Sequence, residues 1–298
     1  MKVSKLICVS GMVFAAASTA HAQTLTGTLA QIKNAGIVTV GVRESSPPFN
    51  YSIGPGKYTG YSYEIELKIL DAIKQKLNMP DLKVRELPFN SQNRIALIKN
   101  GTMNYECSST TNNRERGQQV TFSDTIFAIG TRLLTSTKSG IKDFSDLKGK
   151  NVVTIAGSTD ERLLTDLNAK QSMDMHIISM PENNQAFLAM QQGRAVAYMM
   201  DDAVLYAARA SAVDPAQWVV VGTPQSFEAY GCMMQKGDTQ MQQLVNEVIS
   251  GMAKSGEMNK LYAKWFQQPI PPRNVTLDFP MSDTVKKAFE SPNDTPFQ

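Results

Sequence analysis

A run of hydroxyl and amide side chains, Ser108-Ser109-Thr110-Thr111-Asn112-Asn113, leads directly into Arg114-Glu115-Arg116. Arg116 offers a planar fork of N–H donors that matches a carboxylate in a bidentate fashion, and Thr111 adds a hydroxyl. Ser158-Thr159 opens a predicted helix, where free backbone N–H groups and the positive end of the dipole favour an anion. Asp201 supplies the opposite charge. One carboxylate site and one ammonium site are the minimum for holding an α-amino acid. Arg43 and Arg94, with Ser91 nearby, remain as further donors suited to a second carboxylate. Each residue also has a plainer reading. Arg114 and Arg116 could be solvated surface, and Ser158, Thr159, Asp201 or Asp202 could be helix caps. Ser91 could be a cap followed by a surface arginine.

Positioning these groups requires strands that end beside them. The β-branched run 37–42 predicts a strand, as do the segments 82–87, 103–107, 152–155, 176–178, 195–199, 218–221 and 230–234. Between them, Ile65, Ile69, Ile73 and Leu77 recur at four-residue steps and predict an amphipathic helix over 61–77. Pro47-Pro48 and Gly54-Pro55-Gly56 predict a loop. Ser91 is placed as the cap of a helix that Gly101 ends, and further helices are expected after Ser158, over 183–192 before Gly193, and after Asp202. Two more fall within 239–267, stopped by Pro269, Pro271 and Pro272, and a last short one covers 282–290. Strands alternating with helices predict doubly wound parallel α/β sheets, with ligands outside the carboxyl ends of the strands. Arg43, the 109–116 cluster, Ser158-Thr159 and Asp201 all follow strands. Two such sets facing one another enclose a cleft.

The chain has 298 residues, of which 42% are apolar and 19% charged, enough for one large or two medium domains and too well mixed for disorder. Residues 1–22 read as a secretory signal: Lys2 and Lys5, an apolar stretch, then Ala20-His21-Ala22 before Gln23. The stretch is too short for a membrane anchor. Without Lys2 and Lys5, two of the 30 basic residues, 28 face 27 acidic ones, which gives no reason to expect nucleic acid or anionic lipid as a partner. Cys107 and Cys232 remain after the leader; they could form one disulfide in an oxidising compartment or be two small buried hydrophobes.

"VGVRESSPPF", "SQNRIALIKNGTMNYECSSTTNNRERG", "FSDTIFAIGTRLLT", "GRAVAYMMDDAVL" and "EAYGCMM" resemble the glutamate/aspartate periplasmic binding proteins of bacterial ABC importers, in solute-binding protein family 3. The resemblance runs through the tail "KWFQQPIPPRN". It implies the type II periplasmic binding protein-like fold: two doubly wound α/β lobes, 23–128 plus 228–298 and 129–227, joined by two crossover strands. These crossovers are expected near Ile129–Thr131 and Gln225–Glu228. It implies that Arg116, Thr111 and Thr159, with Ser158 at the same helix start, take an α-carboxylate. Asp201 and Ser109 take the α-ammonium, and Arg43, Ser91 and Arg94 take a side-chain carboxylate. Relatives add a histidine to the last group where this chain has Asn183, which can donate a hydrogen bond but cannot become cationic. The implied protein is a periplasmic, monomeric, non-enzymatic receptor. It needs no cofactor or metal, binds L-glutamate or L-aspartate, and delivers it to membrane permease subunits.

The alternative is a secreted enzyme similar to the cyclohexadienyl or arogenate dehydratases on the same fold. One histidine after the leader leaves little for a Ser–His–Asp set, there is no G-x-S-x-G, and Glu161 is the sole carboxylate considered as its acid.

Overall fold

The computed structural model describes residues 24–296, so the leader expected over 1–22 lies outside the described residues. Ile37–Arg43 is a central strand, flanked in parallel by Lys83–Phe89 and Tyr105–Glu106. Its residues 38–43 are buried on both faces, as β-branched strands of parallel sheets are. Gly41 allows close packing here: a Cβ would stand 2.3 Å from the Met103 sulfur and 2.8 Å from the Glu106 Cβ. Beyond Tyr105–Glu106 the sheet continues through the antiparallel strand Phe227–Gln235 to Val120–Ser136.

Val120–Ser136 also belongs to a second sheet. There it pairs antiparallel with Ala197–Asp201 and Trp218–Val221, and parallel strands Asn151–Ile155 and His176–Met180 complete the set. The result is two α/β lobes joined by two crossover strands, the second being Phe227–Gln235. Around the passage between the sheets, Gly130 pairs with Phe227 and Ile129 with Glu228, while Thr131 N–H donates to Ser226 C=O.

The helical stripe is present: Ile65, Ile69, Ile73 and Leu77 are all buried in Tyr61–Leu77. Phe49, Tyr61, Phe127, Tyr230 and Phe266 form an aromatic cluster with ring centroids 4.8–6.2 Å apart, which welds both crossover strands to the first lobe. Cys107 and Cys232 form a disulfide with Cα atoms 4.3 Å apart, tying the start of the Ser108–Arg116 cluster to a crossover strand.

Several elements differ from expectation. The loop expected after Arg43 contains a small antiparallel sheet of Ser45–Ser46, Asn50–Gly54 and Lys57–Thr59. Ser91 does not cap the next helix: Asn93 stands at the N-cap of Arg94–Lys99, and Asn90 and Asn93 side chains accept the turn's N–H groups. The strand expected over 103–107 pairs only at Tyr105–Glu106, because Asn104 turns its side-chain oxygen to the Thr39 N–H, 2.7 Å away. No helix among the described residues is long and apolar enough to cross a membrane.

Candidate functional site

Three arginines of the first lobe converge at the strand ends. Arg43 closes its strand at 2% exposure, its guanidinium lying over the Phe89 ring at 5.5 Å. Its N–H donates to Asn50 Oδ1 at 3.1 Å, and Asn50 Nδ2 in turn donates to Glu66 and to the Cys107 carbonyl. Arg94 begins the helix Arg94–Lys99 and donates from Nη1 to Thr110 Oγ1 at 3.0 Å. Arg116 sits in the short helix Arg114–Gly117, whose N-cap Asn113 accepts from the Arg116 N–H at 2.9 Å. Its Nη1 donates to the Thr111 carbonyl at 3.0 Å.

All three are buried, and Arg43 Nε and Arg94 Nε have no partner among the described residues. Burial, together with the charges of Arg116 and Arg43, pulls Arg94 well below the ordinary guanidinium range, opposed by Glu106. Burial lowers Arg116 too, with Glu228 working the other way. Glu106 lies fully buried among them; burial raises its carboxyl, against the pull of Arg94, Arg43 and Arg116.

The second lobe brings acids and amides to the same place. Asp201 is 2% exposed, accepts from the Tyr230 hydroxyl through Oδ2, and has no partner at Oδ1 among the described residues. Burial raises its carboxyl well above the usual range, aided by Asp160 and Glu228. Thr159 donates to Glu228 Oε2 at 2.8 Å, Thr111 donates to the same oxygen, and the two hydroxyls stand 3.5 Å apart. Hydroxyls from both lobes thus meet on a crossover-strand carboxylate. Ser158 caps its helix, accepting from the Glu161 N–H at 3.0 Å. Asn183 is used at both ends: Nδ2 donates to the Ser45 carbonyl and Oδ1 accepts from the Tyr198 hydroxyl, each at 2.6 Å. The Ser109 hydroxyl pairs with that of Ser46 at 2.7 Å.

Ser91 lines a cavity of about 570 Å³ together with Gln92, Arg116, Ser158, Thr159 and Arg162. Glu161 is spent locally, accepting from the Gly157 N–H and the Ser179 hydroxyl. No group of three or more His, Cys, Asp or Glu among the described residues could hold a metal ion.

Sequence reasoning missed four acids in this region: Glu106, Asp160, Glu182 and Glu228. Asp160 stands in the first turn of a helix, where the dipole favours an acid on any surface, so its position carries no signal of a site. It is 1% exposed, neither of its oxygens has a partner among the described residues, and burial, aided by Glu228, raises its carboxyl strongly. Glu228 lies in a strand buried from Glu228 to Met234, where no alternation marks which side chain faces the cleft.

The model of the bacterial extracellular solute-binding proteins, family 3, matches residues 38–268. The chain belongs to this family. Its members similar to it include the L-glutamate/L-aspartate-binding protein of Pseudomonas aeruginosa, 54% identical over 92% of this chain and 91% of that one. The glutamate/aspartate import solute-binding protein of Escherichia coli K12 is 50% identical over 90% of this chain and 88% of its own. Both are named as binding proteins. Among solved structures, the solute receptor for L-cysteine of Neisseria gonorrhoeae superposes with a TM-score of 0.70 at 27% identity, over 84% of this chain and 99% of the other. The family match spans every residue from Arg43 to Asp201 described above.

Proposed function

We propose that this family 3 protein is a receptor that captures L-glutamate or L-aspartate in the cleft between its lobes and delivers it to the permease of an ABC importer. The observation that carries the reading is a set of buried polar atoms of both kinds without partners among the described residues: the donors Arg43 Nε and Arg94 Nε on one lobe, and the acceptor Asp201 Oδ1 on the other. Unpartnered buried charge is costly, and a small zwitterion with a second carboxylate offsets it. Relatives at 54% and 50% identity that carry glutamate and aspartate in their names support the same ligand.

In this reading Arg116, Thr111 and Thr159, beside Ser158, hold the α-carboxylate. Asp201 and Ser109 hold the α-ammonium. Arg43, Ser91, Arg94 and Asn183 face the side-chain carboxylate. The chain divides into 23–128 plus 228–298 and 129–227, hinged near Ile129–Thr131 and Gln225–Glu228. Ligand held by both lobes favours closure, because each contact strengthens as water leaves. The closed form, a monomer in the periplasm after removal of residues 1–22, is what the permease recognises.

A thermal-melt screen of the protein against the twenty amino acids tests this. Ligand at a hundred times its Kd stabilises a folded protein by about 2.7 kcal/mol. Glutamate and aspartate are expected to raise Tm most; a larger rise with neutral or basic amino acids would overturn the reading.

A further inference from the structure

Glu182 reaches across the cleft to one of the arginines assigned to the ligand. Its Oε2 lies 3.3 Å from Arg43 Nη2, with side-chain exposures of 17% for Glu182 and 2% for Arg43. Glu182 occupies the N-cap position of the helix Asn183–Gln191, yet its side chain accepts no capping hydrogen bond from that helix. The carboxylate is used on Arg43 instead. Its neighbours bind the same stretch: Asn183 Nδ2 donates to the Ser45 carbonyl at 2.6 Å, and the Asn184 N–H donates to Ser45 Oγ at 3.1 Å. Residues 182–184 are therefore registered on residues 43–45, and Glu182 is held in place.

This contact alters the charge that a ligand side chain meets. Arg43 and Arg94 supply two guanidiniums there, and Glu106, in the field of both, carries a fully buried carboxyl. Glu182 adds a second carboxyl, paired with one edge of Arg43, and leaves Nε a donor without a partner among the described residues.

We propose that Glu182 is a specificity-determining residue that sets how strongly the site prefers an acidic amino acid over its amide, acting through Arg43 rather than on the ligand. The inference rests on the acidic-ligand reading and on Arg43 facing the ligand's side chain. With Glu182 ionised, a carboxylate gains less over an amide than it would from two uncompensated guanidiniums. Removing the charge widens the gap, since a glutamine side chain barely feels it.

The test is displacement calorimetry of L-glutamate and L-glutamine on the parent, Glu182→Gln and Glu182→Asp proteins. Glu182→Gln is expected to raise the ratio of glutamine Kd to glutamate Kd roughly tenfold. Glu182→Asp, which keeps the charge, should stay near the parent ratio. A residue that merely clasps the lobes would weaken both ligands equally. An unchanged or smaller ratio in Glu182→Gln therefore overturns the inference. If the parent bound neither glutamate nor aspartate, the acidic-ligand reading itself would fail and take this inference with it.

Discussion

Arg116 shows how much one side chain is asked to do. It is 7% exposed and anchored through Nη1 to the Thr111 carbonyl, so its remaining donors are fixed in direction before a ligand arrives. Replacing it by alanine would leave a ligand carboxylate buried without its partner, a loss of about 3–5 kcal/mol, or on the order of a hundredfold or more in Kd. Calorimetry on Arg116→Ala checks this, and parent-like glutamate affinity would remove Arg116 from the site. Arg43, Arg94, Arg116 and Asp201 stand out in the sequence because each follows a strand or opens a helix in an α/β pattern, and all four are buried. Their counter-charges were not legible. Glu106 and Glu228 lie in runs of buried residues, so hydrophobic periodicity carries no information about which face they occupy. Asn183 is placed among the ligand groups by resemblance alone; in the structure its side chain donates to the Ser45 carbonyl.

Among the elements, the helix Asp202–Ala210 starts at the cleft and carries an acid whose ionisation is coupled to folding. Burial raises the Asp202 carboxyl to about 6, although the Ala203 and Gly130 N–H groups and Arg132 pull it the other way. An aspartate in the unfolded chain titrates near 3.9, so between about pH 4 and pH 6 the folded protein holds more of this proton. That contribution is present at low pH and is lost as pH rises through the window. Asp202→Asn removes it: from urea unfolding, the variant should lose less stability than the parent between about pH 4 and pH 6. Equal slopes for the two proteins would contradict the assignment. Elements with strong local signals were readable, such as the helix Tyr61–Leu77 with its isoleucine stripe and Asp283–Glu290 capped by Ser282. The four-residue helix Arg114–Gly117 is shorter than any period can reveal. The sheet of Ser45–Ser46, Asn50–Gly54 and Lys57–Thr59 was hidden by its prolines and glycines, which mark turns wherever they occur.

At the scale of the molecule, Val120–Ser136 is the organising piece: seventeen residues that serve both sheets. Its burial on both faces erases the alternation that would mark a long strand, and sequence patterning predicts no strand over 120–136. Glu228 stands beside this passage and accepts from Thr111 of one lobe and Thr159 of the other, so a carboxylate at the crossover connects the two bodies. In the proposed function such a molecule grips one small zwitterion by both of its charged ends at once. Calorimetric titration of the protein with L-glutamate, glutarate and 4-aminobutyrate tests this most directly, since the last two each lack one charged group of the first. The prediction is that L-glutamate binds at least about a hundredfold more tightly than either analogue. Comparable affinity for glutarate or 4-aminobutyrate would contradict it.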